Sequence, residues 1–98
     1  MKYPVHFRDE AEVDLIDAAT WYESQRKGLG FEFLDEIQHV SGLISDNPEL
    51  FPVVYKNIRR ALIRRFPFGV FYLVDDVGIV VLAVMHGSRD PSQWKKRM

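Results

Sequence analysis

The sequence predicts an α+β fold of β-α-α-β-β-β order: a short N-terminal strand, then an antiparallel helical hairpin packed on an antiparallel sheet. Three observations predict it. Apolar residues recur at helical spacing through residues 10–45, the period changes to two after Phe51-Pro52, and two almost wholly apolar strand-length segments follow across a tight turn.

Tyr3 to Phe7 alternates Tyr, Val and Phe with Pro and His, as a short first strand does. Asp9 and Glu12 fit a capping box at the start of a helix over residues 10–25. Ala11, Leu15, Ala18 and Tyr22 share one face of that helix, and Trp21 and Tyr22 read as packing residues. Arg26-Lys27-Gly28-Leu29-Gly30 stops it: the basic pair suits the negative helix end, and glycine supplies the positive φ. A second helix over 31–45 buries Phe33, Ile37, Val40 and Ile44 and ends at Asp46-Asn47-Pro48. The short link makes the two helices an antiparallel hairpin.

Val53 to Tyr55 reads as a brief strand or extended segment, and Ile58 to Phe66 as a strand with charges on both faces. Pro67-Phe68-Gly69 bends the chain into a strand over 70–74, and Asp75-Asp76-Val77-Gly78 turns it into another over 79–85. The last two strands are apolar enough to be central and covered on both faces.

The 98 residues form one domain, 1–98, and 47% apolar with 13% aromatic content is enough to build its core. No cysteine is present, which excludes a disulfide framework and a thiolate metal site. The N-terminus lacks a signal-peptide run and no stretch approaches a membrane span, so a cytoplasmic protein is expected. Net charge is only −1, but it is unevenly placed. Residues 1–55 carry four basic and eleven acidic groups, whereas residues 56–98 carry nine basic and three acidic ones. One surface therefore attracts anions while another repels them.

In a meander the first and third strands run the same way, which brings Arg64, Arg65, His86 and Arg89 to one sheet end. Clustered guanidinium groups hold phosphate and an imidazole beside them can move protons near neutral pH. The same arginines could equally be solvated edge charges, and His86 could simply bond a neighbouring carbonyl. Lys56, Arg59 and Arg60 lead into the strand at 58, and Trp94 with Lys95 follows the last strand. Trp94 could stack a base, or cover the edge of the core. The acids Asp14, Asp17, Glu32, Asp35 and Glu36 have no His or Cys at ligand spacing, so they read as a solvated helix surface and no metal or cofactor is expected.

Taken together, "AEVDLIDAATWYESQRKGLGFEFL", "NPELFP", "IRRALIRRFPFGVFYLV" and "IVVLAVMHGSRDPSQW" resemble the RelE/ParE toxin superfamily over nearly the whole chain. The resemblance implies a growth-inhibiting toxin, of the kind associated with plasmid stabilisation, held in a hetero-oligomer with a cognate antitoxin. Two targets divide that family. RelE-like members cut messenger RNA on the ribosome without a metal, and ParE-like members poison DNA gyrase without chemistry of their own. Position by position, Arg64 looks like the strand arginine of the ribonucleases, Arg89 like their second arginine, and Lys56 like one of their lysines. Their C-terminal tyrosine has no match, since Trp94 occupies its neighbourhood and cannot exchange a proton at oxygen. The resemblance thus implies mRNA cleavage with Arg64 and Arg89 at the phosphate; from the residues themselves, His86 could supply the missing proton transfer, and Lys56, Arg59, Arg60, Arg65, Trp94 and Lys95 could form the binding surface. Its alternatives are gyrase poisoning, or a decayed toxin that only binds its antitoxin. The expected antitoxin segment is apolar and acidic and lies over the helical hairpin or sheet, burying the exposed part of the helical stripe and shielding the arginines.

Overall fold

A computed structural model describes residues 2–98. The chain runs β1 (Val5–Phe7), α1 (Asp9–Gln25), α2 (Leu29–Asp46), β2 (Val53–Tyr55), β3 (Ile58–Leu62), β4 (Phe68–Val74), β5 (Ile79–His86) and a four-residue α3 (Ser92–Lys95). The five strands form one sheet in the order β1-β5-β4-β3-β2. The meander from β2 to β5 is antiparallel, and β1 joins its far edge parallel to β5. The expected α+β layering is therefore present, with a parallel strand added to the antiparallel sheet.

Each element starts and stops for a local reason. No capping box forms at α1: Arg8 is the N-cap, without a side-chain cap bond, and Asp9 is already helical. The Arg8 N–H completes the ladder to β5 by donating to the Val81 carbonyl at 3.0 Å, so the helix begins directly after the strand. Gly28, at φ 88°, makes the left-handed turn between the helices. The Glu23 carboxylate then accepts the N–H groups of Gly28 and Gly30, satisfying donors at the start of α2. Asp75 organises the β4–β5 turn, accepting from the N–H groups of Val77 and Gly78. Gly78 sits at φ 155°, and a Cβ there would lie 2.6 Å from the Pro4 carbonyl, which accepts the N–H of Ile79.

β3 stops at Leu62, four residues before the expected end. The Ile63 N–H closes the bend by donating to the Phe68 carbonyl, and Arg65 adopts φ 71°, which no strand residue can hold. Arg64 and Arg65 therefore belong to a bend.

The sheet has a core on each face. The helix side packs Ala11, Ala18, Phe33, Ile37 and Ile44 against Val70, Tyr72, Val81 and Val84. The far side gathers Ile58, Phe71, Leu82, Ala83 and Met85 under Trp94. That second core explains why β4 and β5 are apolar on both faces. A register shift places Phe71 opposite Ala83 but Tyr72 opposite Val81, leaving Leu82 as the extra residue of a β-bulge. The bulge reverses the alternation of β5. Ile79, Val81 and Val84 pack on the helix side, whereas Leu82, Ala83 and Met85 lie beneath Trp94.

Candidate functional site

The nine candidate residues separate by sheet face and by partner. The far face holds one group. Tyr55, at the end of β2, packs beside Ile58 in the second core, and Lys56 follows it in a left-handed turn at φ 49°. The Lys95 ammonium, delivered by α3, lies 4.6 Å from the Tyr55 ring centre, and that of Lys56 lies 5.4 Å from it. Two cations thus share one aromatic ring, an attraction the ring's negative face supplies. Arg60 pairs across to Phe71 on the same face. Its stem crosses Gly69, where a Cβ would lie 3.1 Å from Arg60 Cγ, and its buried Nε has no hydrogen-bond partner. None of Lys56, Arg60 and Lys95 forms an ion pair among the described residues. Lys95 does feel Asp90, whose carboxyl is held below its usual range first by the Ser92 N–H and hydroxyl and then by that ammonium.

Trp94 belongs to the core and is no open stacking platform. It is 6% exposed and stacked on Phe71 at 4.5 Å, with Tyr55 at its edge. The residue that does carry a partly open ring among cations is Tyr55. In the sequence only its neighbour Lys56 hints at this, because the second lysine arrives from 40 residues further on.

Arg59 and Arg65 turn elsewhere. Arg59 donates to the carbonyl of Phe51 at 2.7 Å and fastens the loop before β2. Arg65 reaches α2 and pairs with Glu32, which also holds Arg26. The Arg65 hydrogen bond is the largest cause of the Glu32 carboxyl lying below its ordinary range.

His86 and Arg89 line a groove of about 510 Å³ beside α1, together with Asp14, Asp17, Trp21 and Phe68. Its Trp21 wall packs edge-on against Tyr22 at 5.1 Å and is still 58% exposed, so the indole is more open than a core residue. The His86 ring lies edge-on to Phe68, and its Nδ1 accepts the N–H of Ser88 at 3.1 Å. That bond places the neutral ring's proton on Nε2 and occupies the nitrogen that would accept one. Arg64 is exposed in the β3–β4 bend and does not line the groove. The sheet end does collect these residues, since Leu62 pairs with Gly69 and Phe68 with His86. Their side chains then diverge.

Asp14 is not part of a solvated surface. It and Arg97 are each 15% exposed and joined by two hydrogen bonds, of 2.5 and 3.2 Å. Asp14 also accepts the N–H of Val84, and Arg97 donates to the carbonyl of Leu82. These contacts cap β5 beyond the reach of β1. No group of His, Asp and Glu among the described residues is placed to hold a metal ion. No helix among them is long and apolar enough to cross a membrane.

The sequence profile of the ParE toxin of the type II toxin–antitoxin system parDE matches residues 5–91. The chain belongs to the ParE toxin family. A search of curated proteins gives no significant match. Among solved structures, the toxin is similar to a chain of the chromosomal ParDE system of P. aeruginosa, with TM-score 0.63 and 16% identity over 86% of this chain and 95% of that one. It is also similar to a chain of the RelBE2 toxin–antitoxin complex of Mycobacterium tuberculosis, with TM-score 0.61 and 22% identity over 88% of this chain and 99% of that one. These likenesses carry the RelE/ParE fold; the profile carries the family.

Proposed function

We propose that this toxin arrests growth by binding its target without cleaving it, that the target is DNA gyrase, and that a cognate antitoxin neutralises it. One observation carries the reading. The cations that share an open surface, Lys56, Arg60 and Lys95, lie on the face of the sheet opposite His86, whose proton-accepting nitrogen is already engaged. A surface of unpaired cations around a tyrosine suits an anionic partner, whereas acid–base cleavage needs a free base within reach of the phosphate that the arginines hold. Membership of the ParE family supports the same reading, because ParE-like toxins are the gyrase poisons of the superfamily.

Induction in bacteria tests it. The toxin is expected to accumulate gyrase–DNA cleavage complexes and to leave mRNA 5′ ends unchanged. The double variant Lys56→Glu, Lys95→Glu is expected to lower those complexes about tenfold or more, because reversed charges oppose a complementary surface. His86→Ala is expected to keep full toxicity. New mRNA ends that vanish in Arg64→Ala, Arg89→Ala and His86→Ala would replace this reading with ribosome-dependent cleavage.

A further inference from the structure

The groove beside α1 takes no part in target binding on the far sheet face. At about 510 Å³ it has the size of a small-molecule site, with α1 as one wall and the end of β5 and the bend before β4 as the other. Trp21, Tyr22 and Phe68 line it, and Tyr22 and Phe68 meet edge to face at 5.9 Å. The indole of Trp21 is left open to the groove and to solvent. Charged groups stand on both walls. Asp17 lies one helical turn before Trp21, so the carboxylate and the indole share one side of α1 with their Cβ atoms about 5–6 Å apart. Arg89 stands on the opposite wall beside His86, whose neutral ring offers an N–H because Nδ1 is taken by Ser88. Neither Asp17 nor Arg89 forms an ion pair among the described residues. Asp14 also lines the groove but is already held by Arg97 and the Val84 N–H. An open ring, one free acceptor and a cationic donor pair across from it fit a flat ligand with N–H groups along one edge and an anion beyond.

We infer that the groove binds a free guanine nucleotide, with the base on Trp21, its N1–H and amino group donating to Asp17, and its phosphate held by Arg89 and the His86 N–H. The site is separate from the cations that meet the target, so it adds a ligand to the toxin whatever that target is. Stacking on an indole serves every base, and the carboxylate therefore makes the choice. Guanine carries two adjacent N–H donors on one edge, which match the two oxygens of a carboxylate. Adenine and cytosine set a ring-nitrogen acceptor beside their amino group, and its lone pair faces the second carboxylate oxygen. Uracil and thymine flank their single N–H with carbonyls. A guanidinium forks onto two phosphate oxygens, so Arg89 suits the other end of the ligand.

Calorimetry of the purified full-length toxin with GMP tests this, with AMP, guanosine and a short guanine-ended DNA strand for comparison. GMP is expected to bind about tenfold or more tighter than AMP and than guanosine. Asp17→Asn replaces an acceptor oxygen with a donor and is expected to lower GMP affinity about tenfold or more, to the level of AMP. Arg89→Ala is expected to lower GMP affinity and leave guanosine affinity unchanged, a split that a damaged fold would not give. Both side chains are exposed, so both variants are expected to melt with the wild type in the absence of nucleotide. Added GMP is expected to raise the melting temperature of the wild type more than that of either variant. Absence of GMP binding up to about 1 mM overturns the site. Equal affinity for GMP and AMP overturns the guanine reading, and equal affinity for GMP and guanosine overturns the phosphate contact. A guanine-ended strand that binds tighter than GMP would assign the groove to nucleic acid and overturn the free nucleotide.

Discussion

Tyr72 is fully buried, and its hydroxyl donates to the Pro48 carbonyl at 2.6 Å, tying the centre of the sheet to the end of α2. Tyr72→Phe leaves that carbonyl without its donor, at a cost of about 1–2 kcal/mol. For a domain of this size that lowers Tm by roughly 4–12 °C, read by thermal denaturation. A second residue-scale contact is sensitive to pH. Glu32 titrates below its ordinary 4.5 because Arg65 donates to it, so the contribution of the pair is complete above that value and fades as pH falls through the lowered one. Arg65→Ala should therefore differ from the wild type in stability at pH 7, and the difference should shrink as pH is lowered below 4.5 in urea titrations. At this scale the sequence is least legible. Arg59, Arg60, Arg64 and Arg65 look alike along the chain, yet one fastens a loop, one lies across Gly69, one is exposed without a partner among the described residues and one is paired. Alternation along β3 separates the first two, and the Arg65 φ of 71° decides the last.

Elements are more legible than their joints. The apolar periods of α1 and α2 and the Asp75–Gly78 turn follow from local spacing, and those elements form within one or two residues of expectation. The early end of β3, the bulge at Leu82 and the course of the tail depend on partners far away in the chain. Asp14 and Arg97 are the clearest case, 83 residues apart and joined across the open stretch of β5. Asp14→Ala leaves a largely buried guanidinium with only Glu10, at 3.7 Å, and the Leu82 carbonyl, and is expected to cost about 1–3 kcal/mol. Adding Arg97→Met removes the under-paired charge, so the double variant should be more stable than Asp14→Ala alone. Urea unfolding of the four proteins in that cycle gives the coupling directly. Equal losses in the single and double variants would show that the pair contributes through packing alone.

Across the whole molecule, the charge difference between the two halves of the chain becomes in part a difference between layers, since Arg65 and Arg97 cross to pair with the acidic helices. The helical layer carries most of the eleven acidic groups of residues 1–55, and the far sheet face carries Lys56, Arg60 and Lys95. A molecule polarised in this way is turned by the field of its partner before contact, which raises the productive fraction of encounters. Apolar contacts formed after encounter are nearly indifferent to salt. Rising ionic strength should therefore slow antitoxin association steeply and leave dissociation almost unchanged. Stopped-flow measurement from about 10 mM to 300 mM salt spans Debye lengths from about 30 Å to under 8 Å, from longer than the protein is thick to shorter. Neutralising Lys56 and Lys95 to Gln should flatten that salt dependence without changing the dissociation rate more than about twofold. If the dissociation rate carried the salt dependence instead, the charged faces would be holding the complex together.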